Sequence, residues 1–155
     1  LKFKKKVSAM KRILLILLLL FGYSSAEMKF ANPQPTFENP RKWVIRLNIA
    51  NIEDVNHMLS SVNNVLKAYP TEAIKIAVVT YAQGVRAVRN DYDPDTLKRI
   101  KSLMEYEVEF VVCRNTMDTM GWKDGEFLKG VSFVQAGIAE VIERQVDGWI
   151  GVTPY

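Results

Sequence analysis

Val108-Glu109-Phe110-Val111-Val112-Cys113-Arg114-Asn115-Thr116-Met117 is the stretch on which the reading of this chain turns. It opens as a short run of β-favouring apolar residues and passes at once into Asn115-Thr116, a pair of helix-capping type. A strand feeding straight into a helix start is half of a βαβ unit, the building block of a parallel sheet. Its last strand residue, Cys113, is the only cysteine in 155 residues.

Working outward, the flanking segments repeat that alternation. Trp43–Ile49 reads as a first strand, with Trp43, Ile45, Leu47 and Ile49 on one face and Val44, Arg46 and Asn48 on the other. The apolar positions Ile52, Val55, Met58, Leu59, Val62, Val65, Leu66 and Tyr69 form one helical stripe. Asn51 is placed to cap that helix and Pro70 to close it. Ile74–Tyr81 is a nearly unbroken apolar run, as expected of a strand buried on both faces. Ala82-Gln83-Gly84-Val85-Arg86 then turns into a short helix ending near Val88. Asp93-Pro94-Asp95 starts another, with Leu97, Ile100, Leu103 and Met104 facing inward. Beyond Cys113, Gly121, Gly125 and Gly130 suggest a mobile connection. A strand at Val131–Val134, a helix near Ala136–Gln145 with Ile138, Ala139, Val141 and Ile142 inward, and a strand at Gly148–Val152 complete the pattern. The expected architecture is α/β, three layers as α/β/α, around a five-stranded, mainly parallel sheet.

The first 26 residues stand apart. Lys11-Arg12, the apolar run Ile13–Phe21 and the small residues Ser24 and Ala26 match a secretory signal with cleavage after Ala26, predicting a periplasmic or secreted protein. The apolar run is too short to span a membrane, so no membrane association is expected after cleavage. Residues 27–41, with Pro33, Pro35 and Pro40, read as an extended, poorly ordered leader to a domain over 42–155. The chain has 21 basic and 17 acidic residues; six bases and no acid lie in the first 26, leaving 15 against 17, a net −2. The basic balance belongs to the export segment, so it gives no nucleic-acid footprint.

In a parallel sheet ligands gather beyond the carboxyl ends of the strands. That edge should bring Asn48, Tyr81 and Gly84 near Cys113, Arg114, Asn115, Thr116 and Met117. A cap at Asn115 or Thr116 would set Cys113 just before a helix, whose free N–H groups favour a thiolate. Arg114 would support that charge and Asp118 oppose it. The single histidine, His57, falls off the helical stripe among polar neighbours and reads as solvated. A Cys-His hydrolase therefore does not fit. Two plainer readings stand beside the reactive one: a cysteine filling the core, and methionines (Met117, Met120) that pack rather than bind a soft metal. Arg46 sits mid-strand, where it is either partly solvated or bridged to a helix acid, or else in contact with an anion or a subunit interface. No metal and no cofactor are assigned.

The order of elements, the Tyr81-Ala82-Gln83-Gly84-Val85 segment, the Cys113-Arg114-Asn115-Thr116-Met117 run, the helix start at Ala136-Gly137-Ile138-Ala139-Glu140 and the closing Gly148-Trp149-Ile150 together resemble the DsrE/DsrF-like (YchN- and Tus-like) sulfur-relay superfamily, over about Trp43–Val152. The resemblance implies a five-stranded parallel sheet, assembly into trimers or hexamers, and a cysteine, here Cys113, that can carry persulfide sulfur between donor and acceptor proteins. The loop glycine corresponds to Gly84; Tyr81 stands where members often have histidine. The expected function is thus an exported sulfane-sulfur carrier or transferase, or alternatively a non-catalytic oligomeric protein that binds a small ligand or partner.

Overall fold

Ile74–Thr80 (β2) explains the architecture. Five of its seven residues, Ile76–Thr80, are buried, so both its faces and both its edges must be covered. The computed structural model, which describes residues 28–155, places β2 between Arg41–Leu47 (β1) and Glu109–Cys113 (β3) in a sheet ordered β4-β3-β2-β1-β5. Ser132–Val134 forms β4 and Ile150–Gly151 forms β5. Every pairing is parallel. The expected signal segment and cleavage point lie outside the described residues.

The connections follow from that order. Steps from β1 through β4 all run one way across the sheet, and right-handed crossovers put their helices on one face. These are Ile52–Ala68 (α1), a 3-10 segment at Ala82–Val88, Pro94–Glu105 (α2) and Arg114–Met120 (α3). The step from β4 to β5 runs back past the whole sheet, so Gly137–Val146 (α4) covers the other face. Two hydrophobic clusters record this. The large one joins Ile45, Leu47, Val78, Phe110 and Val112 to Val55, Met58, Leu59, Val62 and Ile100. The small one holds only Val44, Val79, Val111 and Val141.

The starts of α1 and α2 are the ones their sequences call for. The Asn51 side chain accepts from the N–H groups of Glu53 (2.9 Å) and Asp54 (3.2 Å). Asp93 accepts from the N–H (2.8 Å) and hydroxyl (2.6 Å) of Thr96, with Pro94 in the first turn. The third start differs. Cys113 itself is the N-cap residue and the helix begins at Arg114, so neither Asn115 nor Thr116 caps it.

Three further expectations are corrected by packing. The glycine-bearing connection after α3 is tied down: Phe127 and Leu128 are buried, Leu128 N–H bonds Val88 O at 3.0 Å, and the Asn90 amide donates to the carbonyls of Gly125 and Phe127. The leader is also held. Pro35 is buried, and the Arg41 guanidinium donates to Ala31 O (2.8 Å) and Pro33 O (2.7 Å). On α4 only Gly137 and Val141 are buried. Ala139 is exposed and Ile138 and Ile142 are about half exposed, because one helix cannot cover a whole sheet face. Arg46, on that same face, is exposed; among the described residues no carboxylate pairs with its side chain.

Candidate functional site

The connection leaving β3 turns to one face of the sheet and the connection leaving β4 turns to the other. Where neighbouring strands diverge in this way an α/β sheet opens a crevice at its carboxyl edge. Cys113 ends β3 and pairs with Val134, next to Gln135, where β4 ends. The thiol therefore lies at the switch point of the sheet.

Three segments meet there. Gly137 opens α4 so close to the strands that an added Cβ would lie 3.2 Å from the Cβ atoms of both Cys113 and Tyr81. Thr116, in the first turn of α3, accepts the Ala82 N–H at 3.0 Å, linking the β2 exit to the β3 exit. Asn115 and Gln135 clasp each other: Asn115 N–H donates to Gln135 O (3.1 Å) and the Gln135 amide donates to Asn115 Oδ1 (2.6 Å). The Cys113 Sγ lies 3.8 Å from Gln135 O.

Cys113 is only 5% exposed. Burial pushes its thiol up, but the Gly137 N–H, the N–H and hydroxyl of Thr116 and the Asn115 N–H together outweigh it, and the pKa falls below the ordinary cysteine value. These donors serve the charged form; the protonated sulfur makes no capping hydrogen bond to α3.

The remaining residues expected at the site fall in different places. Arg114 is spent elsewhere. Its guanidinium meets both oxygens of Asp124 at 2.9 Å and lies 4.6 Å over the Phe133 ring, while the ionisation of Cys113 is set by its burial and by Gly137, Thr116 and Asn115. Met117 is buried in the large cluster. Gly84 is a packing glycine, since a Cβ there would lie 2.0 Å from Leu47 O. Asn48 is exposed and accepts from the Tyr155 hydroxyl at 3.2 Å. Tyr81 borders both groups, touching Gly137 and lying near Tyr155. His57 is exposed on α1.

Gln135 and Gly137 are the site residues that strand and helix periodicity does not single out. A glycine at the first helical position straight after a strand was their one signal. Between the 3-10 segment and α3, Ala82, Gln83, Asn115, Thr116, Thr119, Met120 and Trp122 line a pocket of about 330 Å³, of which Cys113 is not a wall. A larger hollow of about 650 Å³ lies at the other, amino edge of the strands, among Pro70, Ile74, Tyr106 and Trp149. Among the described residues no cluster of His, Cys, Asp and Glu could hold a metal ion, and no helix is long and apolar enough to cross a membrane.

Fold and site together define an α/β protein with an all-parallel five-stranded sheet and a buried thiol, its pKa lowered, at the switch point. The chain belongs to the DsrE/DsrF-like family, whose model matches residues 51–154. A solved structure of a protein of unknown function from Methanobacterium thermoautotrophicum is similar over 74% of this chain and 99% of its own length, at 27% identity and a TM-score of 0.68. Comparison with curated proteins finds no match.

Proposed function

We propose that the protein is an exported sulfane-sulfur carrier whose Cys113 thiolate takes up and passes on one sulfur atom. The observation that carries this reading is the position of Cys113 at the carboxyl edge of the sheet, as the residue before α3 and packed against Gly137 at the start of α4, where nearby N–H groups and the Thr116 hydroxyl hold its pKa below the ordinary value despite burial. The uptake step balances without an outside oxidant. The Cys113 thiolate attacks the terminal sulfur of a persulfide R–S–SH, a new S–S bond forms to Sγ, the donor's own S–S bond breaks, and R–S⁻ leaves while Cys113 becomes the persulfide Cys–S–SH. The same amides that favour the thiolate also favour the persulfide anion. No general base is needed, in keeping with the absence of a Cys–His pair among the described residues.

The export segment, a protein donor or acceptor, and self-association belong to the same proposal. Self-association draws support from Ile138, Ile142 and Val146, which follow one another at i, i+4 and i+8 on the outer side of α4 and are 46–79% exposed. A test of carriage is discharge. Protein loaded from a sulfane donor should release its sulfur to cyanide as thiocyanate, and Cys113→Ser should release none above background. Equal release from wild type and variant would remove the reading.

A second reading rests on the burial of Cys113 within the large core cluster: the fold binds a ligand or partner and the cysteine only packs. It predicts that Cys113→Ser keeps every binding property of the wild type.

A further inference from the structure

Cys113 has to meet a sulfur donor, yet it is only 5% exposed. The polar groups around Sγ come from two segments. The start of α3 supplies the N–H groups of Asn115 and Thr116 and the Thr116 hydroxyl; the β4–α4 connection supplies the Gln135 carbonyl and the Gly137 N–H. The Asn115–Gln135 clasp fastens these two segments to each other through bonds of 3.1 Å and 2.6 Å. Both clasp residues are exposed while the thiol is buried, so the fastening lies on the solvent side of the sulfur.

The clasp also contains a competition. Gln135 O accepts the Asn115 N–H at 3.1 Å and faces Sγ at 3.8 Å, where the thiol proton is a weak donor to it. The Asn115 N–H is in turn one of the groups that favour the sulfur anion. While the sulfur is protonated, both hydrogens serve the Gln135 oxygen. Once the proton has gone to solvent, or a second sulfur has taken its place, that oxygen loses the S–H, faces another acceptor and competes with it for the one N–H.

We propose that the Asn115–Gln135 clasp is a gate over Cys113 that responds to the state of the sulfur, closed on the thiol and loosened by thiolate or persulfide, with Gln135 as its positioning residue. The proposal rests on the sulfur-carrier reading for the loaded state. An empty thiol is then shielded from stray reagents, and a loaded one opens toward its acceptor. Bulk acts in the same direction. A second sulfur has to fit where Gln135 O already lies 3.8 Å from Sγ and where Gly137 leaves little room for even a methyl beside the Cys113 Cβ. The titratable groups on the surrounding elements are Tyr81 at the β2 exit, Arg86 in the 3-10 segment, Arg114 and Asp118 on α3 and Glu140 on α4. Asp124 holds Arg114 and Arg144 holds Glu140, and the leading influences on the sulfur are burial and hydrogen bonds rather than any of these charges.

Two measurements test it. Gln135→Met keeps the length of the side chain and removes its amide. In folded protein at fixed pH, Cys113 of this variant should react with iodoacetamide about tenfold faster than in wild type, the effect of one lost hydrogen bond. Asn115→Ala, which keeps the backbone N–H, should do the same. The double variant should be no faster than either single one, because both remove the same bond. The second measurement uses the wild-type chain. Methyl methanethiosulfonate converts Cys113 to its methyl disulfide, which has no S–H, and amide hydrogen exchange across 114–116 and 135–138 should then quicken by about tenfold. The same treatment of Cys113→Ser, whose hydroxyl keeps a donor for Gln135 O, should change nothing. Labelling unmoved by either variant, accelerations that multiply in the double variant, or exchange unmoved by the methyl disulfide would overturn the gate. Gated labelling and quickened exchange in a protein that takes up no sulfur from a small persulfide would uphold the gate and remove the sulfur-carrier reading instead.

Discussion

At the scale of single residues, the behaviour of Cys113 is a contest between burial and hydrogen bonding. Burial alone would make it inert. The donors reverse the sign, and their effect on pH dependence can be worked out. A folded pKa below the unfolded one means that ionisation stabilises the fold. That contribution is fully present above the unfolded pKa and is lost as pH falls through the folded value. Iodoacetamide labelling should therefore show its midpoint at lower pH in the folded protein than in the urea-unfolded chain. Thr116→Val, which removes the hydroxyl but leaves the N–H, should move the folded midpoint upward. A folded midpoint at or above the unfolded one would contradict the assignment. Gly137→Ala probes the same spot sterically. Its methyl would meet two Cβ atoms at 3.2 Å, a small overlap that should cost about 1 kcal/mol or more in chemical denaturation, and the labelling midpoint should rise with any displacement of the N–H.

At the scale of elements, most of the chain was legible because its periodicities are clean. The stripe Val55, Met58, Leu59 and Val62 could only be a helix face, and β2, buried on both sides, could only be central. Caps were legible for the same reason. Asn51→Ala should lower stability by about 1 kcal/mol, measured as a shift in the urea midpoint with an unchanged m-value; no shift would mean that α1 does not depend on its cap. Elements whose definition is non-local were harder to read. The last strand was read at Gly148–Val152, but only Ile150–Gly151 forms it, because its extent is set by pairing with Trp43 and Val44 rather than by a local signal. The start of α3 was misplaced by two or three residues because Asn115 and Thr116 are strong cap formers. Their side chains are engaged instead by Gln135 and Ala82, both distant in sequence. The loop around Phe127 looked mobile by its glycines, but two buried side chains decide its behaviour.

At the scale of the whole molecule, the sheet is unequally covered, and that follows from strand order alone. Four strand exits send chain to one face or return it to the other, and only α4 returns. The outer residues Ile142 and Val146, with Ile150 and Val152 at the β5 edge, are each more than half exposed. Ile142→Asp should therefore shift the protein toward smaller species in sedimentation without unfolding it; wild type and variant that are both monomeric would show that this face has no second copy to meet. The same topology places Cys113 at the β3–β4 divergence, and the site's position was readable from sequence only as an edge, not as a crevice, because strand order is not written locally. The central claim is that the thiol at this crevice takes up sulfur. Intact-mass spectrometry of the folded protein after brief exposure to a small persulfide tests it most directly. The account predicts the gain of one sulfur atom per chain, mapped to Cys113 and absent from Cys113→Ser. An unmodified wild-type chain, with Cys113 equally unreactive to iodoacetamide until the protein is unfolded, would contradict it.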